Sequence, residues 1–311
     1  MKNKNLTLGI LLVALAVIAY FIVYSNSGKV TTEKDKLLDS PFFKVDSATI
    51  DKLEIERNGK KIVLSKIGIE WKVTEPVDYK ATQPFIASAI GDLKKYKLAS
   101  RESDNPEFKD RFGFNDTNVA KITVYQAGNP AGTFEMGNAT SGPSQTYVRK
   151  PGDKIIYRAD GLLRMNFVKD DLQEWRDKSI ISIPKGAVKS MEFFGPGGEN
   201  HKIVKDSASG TYFLGKDTAN ATIADGLMNL LQNFNTQYFY DKPLNKDLKP
   251  NYNVKVVWNN ITTEFTFYKV GTEESNPKHV LKVTGINQLF DVDENYVKML
   301  YKTKKELSKA G

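Results

Sequence analysis

From Ile50 onward the chain repeats its own apolar pattern, and this repetition limits the possible folds more than any other feature. Ile50, Leu53 and Ile55 match Val188, Met191 and Phe193 at an offset of 138. Trp71 and Val73 match Tyr212 and Leu214 at 141, and the same offset pairs Ile86, Ala89, Ile90 and Leu93 with Leu227, Leu230, Leu231 and Phe234. Those four positions fall at helical spacing and draw one apolar stripe along an amphipathic helix. The three-residue change in offset is expected at Gly195-Pro196-Gly197-Gly198, a turn sequence that the first copy lacks. Farther on, Ile122 and Val124 match Val256 and Trp258 in alternating strands. Tyr147, Val148, Ile156 and Tyr157 match Val280, Leu281, Leu289 and Phe290 at 133. That offset also pairs Asp160 with Asp293, each placed to cap a short helix, and Phe167 with Leu300.

Each copy reads as a β-hairpin, a helix, a series of antiparallel strands and a closing helix. The expected fold class is therefore α+β: two tandem repeats of an antiparallel-sheet-and-helix module behind an N-terminal transmembrane helix. The expected divisions are a cytoplasmic tip and anchor over 1–24, a stalk over 25–47, a first repeat over 48–183, a second over 186–301 and a basic tail over 302–311. Ile183-Pro184-Lys185-Gly186 forms the junction. In the stalk, Leu37, Leu38, Phe42 and Phe43 are placed to dock onto the first repeat.

The anchor is read from Leu6 to Tyr24, where only Thr7 and Gly9 interrupt an apolar series. Leu6, Ile10, Leu11, Leu12, Val13, Leu15, Val17, Ile18, Tyr20, Phe21, Ile22, Val23 and Tyr24 supply its apolar surface. As a helix, a segment of this length spans roughly 28 Å, close to the hydrocarbon thickness of a bilayer. A cleaved signal peptide would have a shorter apolar region and a small-residue cleavage site, whereas this one ends in Phe21-Ile22-Val23-Tyr24. Lys2 and Lys4 precede the span and favour a cytoplasmic N-terminus, with the ectodomain outside; Lys29, Lys34 and Lys36 on the far side weaken that bias.

The chain has no cysteine, which excludes disulfides, thiol nucleophiles and thiolate metal sites. Its net charge of +8 is spread among interleaved acids, as in Lys34-Asp35-Lys36 and Lys109-Asp110-Arg111. This is not the basic stripe of a nucleic-acid binder. Lys302, Lys304, Lys305 and Lys309 suit a solvated helix end.

No catalytic, cofactor or metal motif emerges. His201 and His279, the two histidines, stand at non-equivalent places and read as exposed structural residues. Asp291-Val292-Asp293-Glu294-Asn295 opens like a calcium loop, but Tyr296 occupies the glycine position and Lys302 that of the bidentate ligand. Asp170, Asp171, Glu174 and Asp177 read as the first turn of a helix ahead of a buried Trp175. Gly195-Pro196-Gly197-Gly198 lacks the Lys-Ser/Thr ending of a phosphate loop. Gly68, Gly128 and Gly152 read as turn residues, and Tyr238-Phe239-Tyr240 as a buried strand.

Several passages together resemble a bacterial family of membrane-anchored proteins catalogued as a domain of unknown function. They are Trp71-Lys72-Val73-Thr74-Glu75-Pro76, the helix over 81–96, Phe112-Gly113-Phe114-Asn115, Met136-Gly137, Tyr147-Val148-Arg149, Ile156-Tyr157-Arg158 and Trp175-Arg176-Asp177-Lys178. The resemblance is good over 50–183 and weaker in the second copy. Phe114-Asn115 stands where the family tends to have Leu-Asp, and Asn118 near a usual proline. Such proteins are similar in context to those encoded beside ABC transporter subunits of the gliding-motility (Gld) type. The resemblance implies a non-enzymatic accessory or scaffold subunit at the bacterial inner membrane, without cofactor. Its expected partners are the lipid bilayer, a permease, an ATPase and a membrane-anchored auxiliary subunit. The alternatives are an envelope module binding glycan, lipid or peptide in a cleft between the repeats, and an envelope hydrolase.

Overall fold

The computed structural model describes residues 37–142, 144–271 and 277–308, together with 13–15, 17, 18 and 20. By compactness the chain divides into two units, Met1–Lys61 with Ser88–Val168, and Ile62–Ala87 with Lys169–Gly311.

One sheet holds nine strands: β1 (Ile50–Arg57), β2 (Lys60–Ile67), β3 (Glu70–Glu75), β4 (Tyr79–Lys80), β5 (Leu98–Ser103), β6 (Ala120–Gln126), β7 (Asn129–Ala139), β8 (Gln145–Arg149) and β9 (Ile156–Asp160). Its order is β4-β3-β2-β1-β6-β7-β8-β9-β5. After β10 (Ser179–Ile181) come β11 (Val188–Phe194), β12 (Asn200–Lys205), β13 (Tyr212–Leu214) and β14 (Asp217–Thr218). The remaining strands are β15 (Phe234–Asn235), β16 (Tyr238–Tyr240), β17 (Tyr252–Trp258), β18 (Ile261–Val270), β19 (Lys278–Val283) and β20 (Leu289–Asp293). The second nine-stranded sheet runs β14-β13-β12-β11-β17-β18-β19-β20-β16, while β10 and β15 pair by themselves. The two large sheets thus share one strand order, position for position.

The α+β class is corrected by this architecture. Among the described residues strand makes up 43% and helix 24%, and large antiparallel sheets dominate. Among the described residues from 37 onward the α-helices are α1 (Gln83–Lys95), α2 (Leu163–Phe167), α3 (Ala221–Gln232), α4 (Glu294–Leu300) and α5 (Lys304–Leu307). Of these five only α1 and α3 exceed two turns, because the closing segments bury just a few side chains (Leu163 and Phe167 in α2; Tyr296, Val297 and Leu300 in α4) before the chain leaves the sheet. Among the described residues no helix is long and apolar enough to cross a membrane. Of the anchor expected over Leu6–Tyr24, Val13, Leu15, Val17, Ile18 and Tyr20 are helical and exposed. Leu6, Ile10, Leu11, Leu12, Phe21, Ile22, Val23 and Tyr24 lie outside the described residues.

Strand register revises the matching of the copies in two places. Leu53 faces Val124 and Ile55 faces Ile122, while Met191 faces Val256 and Phe193 faces Val254. Ile122 therefore corresponds to Val254 rather than Val256, a slip of one pleat. Side chains alternate with a period of two, so such a slip leaves the buried face unchanged and escapes an apolar pattern. The second revision concerns the helix. The amide of Ala81 donates to the Trp71 carbonyl and that of Ala219 to the Tyr212 carbonyl, at 3.0 and 2.8 Å. Ala81 and Ala219 are thus equivalent, at an offset of 138. An opposite three-residue change, which returns the offset from 141 to 138, lies between β3 and β4, where residues 74–78 fill a turn that Gly215 and Lys216 make alone. The helix correspondence shifts with it: α1 buries Ile86, Ala89 and Leu93, and α3 buries Ala224, Leu227, Met228 and Leu231.

Capping shows the same divergence. Asp293 caps α4 by accepting from the Tyr296 amide at 2.8 Å, as expected. Asp160 does not cap α2; its carboxylate accepts from Gln145 at 2.7 Å, and Gly161, with φ of 113°, turns the chain before the helix. The second unit's core runs from Val188, Met191 and Phe193 through Phe234, Phe265, Phe267 and Phe290 to Leu300 and Leu307. In the first unit, Phe42 meets Tyr157 edge-on at 5.6 Å, Phe43 packs on Phe134, and the Phe42 amide donates to the Tyr96 hydroxyl at 3.0 Å.

Candidate functional site

Two arginines organise the polar interior, one in each unit. In the first unit Arg164 reaches from α2 to the loop before β6. Its guanidinium donates to the Asn118 carbonyl at 3.3 Å, to the Asn118 side-chain oxygen at 2.6 Å, and to the Gly137 carbonyl. Asn118 in turn donates to Asn138 and to the Gly113 carbonyl. Glycine is required where the loop meets β7: a Cβ on Gly137 would collide with the Phe112 carbonyl, and Gly113 has φ of 82° with Asn118 and Asn138 against it. Beside this brace Arg149 pairs with Glu135 at 2.6 Å and lies over the Phe114 ring, while Phe112 meets Tyr147 edge-on. The Phe112–Asn115, Met136-Gly137 and Tyr147–Arg149 passages, far apart in sequence, therefore converge on one place.

What the brace supports is a seven-residue 3₁₀ helix, Pro106–Phe112, in which no residue is buried. Asn105 caps its start and Gly113 its end. Phe108, 48% exposed, stands on it.

In the second unit Arg176 has no exposed side-chain surface. It donates to both oxygens of Asp241 at 2.9 and 2.8 Å and to Gln288 at 2.6 Å. Its guanidinium lies 3.8 Å above the Phe239 ring and 5.1 Å from that of Tyr79. The backbone of the Trp175–Asp177 segment is bonded to that of residues 80–82: the Thr82 amide donates to the Trp175 carbonyl, the Asp177 amide to the Lys80 carbonyl, and the Thr82 hydroxyl to the Arg176 carbonyl. Trp175-Arg176-Asp177-Lys178 thus serves as a tie.

The acids singled out by sequence have local roles. Asp171 and Glu174 form a capping box on Leu172–Trp175, and Asp177 accepts from the Ser179 amide at 3.0 Å. Both histidines are buried, correcting their expected exposure. His201 stacks on Phe193 at 5.2 Å and bonds the Lys302 carbonyl at 2.7 Å through Nε2. His279 bonds Glu294 at 2.7 Å and faces Tyr252, whose ring lies 4.8 Å from that of Tyr301. Burial, with Glu199 beside it, pushes the Tyr301 phenol upward. The Tyr301 hydroxyl donates to Glu199 at 2.9 Å, and a side chain at Gly195 would collide with that hydroxyl. Gly195 therefore makes room for an aromatic, which explains the glycine-rich turn without a phosphate. The sequence around the histidines is polar, and their burial comes from Phe193, Tyr252 and Tyr301 closing over them. Tyr238-Phe239-Tyr240 is an edge strand: Phe239 is buried, while Tyr238 is 57% exposed. Among the described residues no group of three or more His, Cys, Asp or Glu is placed to hold a metal ion.

Burial also pushes the phenols of Tyr79, Tyr96 and Tyr212 up to about 12, with Asp177 adding to the effect at Tyr79 and Asp225 at Tyr212. The neutral phenol is the form the fold favours. Its contribution to stability is complete below the ordinary value of 10.0 and is lost as pH rises from there through about 12. An alkaline titration should show a late phenolate fraction appearing together with unfolding. Simultaneous ionisation of all tyrosines near the ordinary value, with the fold intact, would contradict this.

An antiparallel β protein built twice on one strand order, with its buried charges tied into the framework, is the class that these features define. The chain belongs to the family described as Domain of unknown function (DUF4340), which it matches over residues 71–255, more than half its length. The match begins at Trp71, the first residue of the Trp71–Pro76 passage, and continues into the second sheet beyond the span expected from resemblance. No curated protein and no solved structure matches the chain.

Proposed function

We propose that the chain is a non-enzymatic accessory or scaffold subunit of an ABC-type membrane transporter complex of the gliding-motility kind. It would be held at the bacterial inner membrane by its apolar segment 6–24, with the folded part extracytoplasmic. The observation that carries this is the exposed helix Pro106–Phe112 on its polar brace. Ordering a segment costs about 1–2 kcal/mol per residue in backbone entropy, and this segment offsets little of that by burial, since only Phe112 is half-buried, against Tyr147. Asn118, itself held by Arg164, bonds the carbonyl of its C-cap Gly113 and so fixes the end of the segment, leaving Phe108 outward, which suits a surface presented to another protein. The shared strand order supports the same view, since one copy can be devoted to docking while the other preserves the framework.

The test is co-purification. The full chain solubilised in mild detergent should bring down a permease and an ATPase, and Phe108→Glu should abolish that association without shifting the melting temperature. Equal recovery of partners by both forms would remove the docking role from this helix, and absence of any permease or ATPase would refute the assignment. A ligand-binding module is favoured by a groove in the second unit lined by Asn200, His201, Lys202, Lys216, Asp217, Thr218 and Lys304. For that alternative, a ligand-induced rise in melting temperature is the expected result.

A further inference from the structure

The hairpin of β2 and β3 ends in a tip that the fold does not use. Lys66, Ile67, Gly68, Ile69 and Glu70 are all exposed, with Ile69 at 92% and Ile67 at 53%. Ile67 pairs with Glu70, so Gly68 and Ile69 form a two-residue turn, and the positive φ of 66° at Gly68 suits it. The side chains next inward, Val63, Leu64, Trp71 and Val73, are buried. A well-anchored hairpin thus carries two large aliphatic groups into solvent, at the place where a turn ordinarily carries polar residues.

The second sheet supplies an internal control. Its corresponding connection, between β12 and β13, reads Asp206-Ser207-Ala208-Ser209-Gly210-Thr211. There Asp206 accepts from the Ser209 amide and hydroxyl at 2.7 and 2.8 Å and from the Ala208 amide at 3.1 Å. The same topology therefore closes with a polar, self-satisfied turn and has no need of isoleucines. Whatever keeps Ile67 and Ile69 outward lies beyond the requirements of the fold.

We infer that the Ile67-Gly68-Ile69 tip inserts into the interfacial layer of a lipid bilayer, as a second membrane contact beside the apolar N-terminal segment. This rests on the membrane assignment proposed above. Twelve residues, 25–36, separate that segment from the first described residue of the folded part. Fully extended they reach about 40 Å, so the folded part stays within roughly one domain diameter of the surface and at high effective concentration to it. Paired aliphatic side chains at an exposed tip suit the boundary between headgroup and acyl chain. The exposed Lys66 alongside suits anionic headgroups, and the Glu70 carboxylate is engaged by Lys80 at 3.9 Å.

Absence of native cysteine makes site-specific labelling direct. Ile69→Cys, Ala208→Cys and Ala14→Cys would each be made in the full chain, labelled with an environment-sensitive fluorophore, and reconstituted into phosphatidylglycerol–phosphatidylcholine vesicles. The Ile69 probe should shift to shorter wavelength and be quenched by nitroxide lipids, while the Ala208 probe remains open to aqueous iodide. Quenching of the Ile69 probe by iodide alone would overturn the inference. So would shielding from both quenchers, the signature of a protein partner. The Ala14 probe separates the two failures. If it is quenched by lipid and Ile69 is not, only the tip inference falls; if neither is quenched, the membrane assignment falls with it.

Discussion

Replacing Asp241 by alanine is expected to destabilise the second unit by about 3–5 kcal/mol, the usual result of stranding one partner of a buried ion pair. The effect should exceed that of removing the arginine itself. The Arg176 side chain is fully buried, whereas that of Asp241 is 36% exposed. Without Asp241, the guanidinium retains Gln288 and the face of Phe239 but has no countercharge and no route to water. Without Arg176, the carboxylate can rehydrate, and a methionine of similar length can lie between Tyr79 and Phe239, leaving a smaller loss of about 1–3 kcal/mol. Adding Asp241→Ala to Arg176→Met should cost little more, so the double variant is expected to be more stable than Asp241→Ala alone. Urea unfolding followed by tryptophan fluorescence measures all three. An Arg176→Met loss larger than that of Asp241→Ala would show that packing, rather than the buried charge, governs this tie.

The parts of the fold that are legible in the sequence are those where one periodicity speaks for one element. Leu53 and Ile55 against Met191 and Phe193 identify the central strands, and the stripes ending in Leu93 and Leu231 identify α1 and α3. The parts that are not legible have specific physical reasons. An alternating strand looks the same after a slip of two, so the apolar pattern matches Ile122 to Val256 although register places it with Val254. An amphipathic stripe looks nearly the same after a slip of three or four, so the stripe of α1 matches that of α3 at 141 although the carbonyls of Trp71 and Tyr212 place the helices at 138. Both errors preserve the buried face, which is all that an apolar pattern encodes. Sequence overstates the helical share because a few apolar residues after a strand, such as Leu163 and Phe167, can be buried by a single turn. Histidine burial is hidden because the aromatics covering His201 and His279 come from other strands and from Tyr301, beyond the end of α4. Arg176 and Arg164 give only weak signals: each lies in or near a passage that carries the family resemblance, but its partners Asp241, Gln288, Asn118 and Gly137 are far away in sequence.

Trp71 and Tyr212 provide the second large effect and a direct comparison of the two sheets. Each stands on the third strand of its sheet, faces a lysine of the second strand (Lys66 or Lys205), and accepts an amide from the residue before the helix cap. Their exposures, 8% and 9%, are nearly the same. Truncating Trp71 to alanine should cost about 3–5 kcal/mol, the penalty for deleting a large buried aromatic from a site that cannot collapse. Collapse is opposed here because Gln83 clamps the strand, accepting from the Trp71 amide at 2.9 Å and donating to its carbonyl at 2.8 Å. At Tyr212 the side chain carries a further role: its hydroxyl donates to the Val188 carbonyl at 3.0 Å and touches the Met228 sulfur at 3.2 Å. Tyr212→Phe should therefore cost about 1–3 kcal/mol by leaving a buried carbonyl unsatisfied, whereas a phenol open to water would make the change nearly neutral. Tyr212→Ala loses both the ring and the bond and should approach the Trp71→Ala penalty despite the smaller side chain. Denaturant midpoints for the three variants decide the matter. A neutral Tyr212→Phe would sever the hydroxyl from Val188, and a Trp71→Ala loss below about 1 kcal/mol would mean that the third strand of the first sheet closes over the gap.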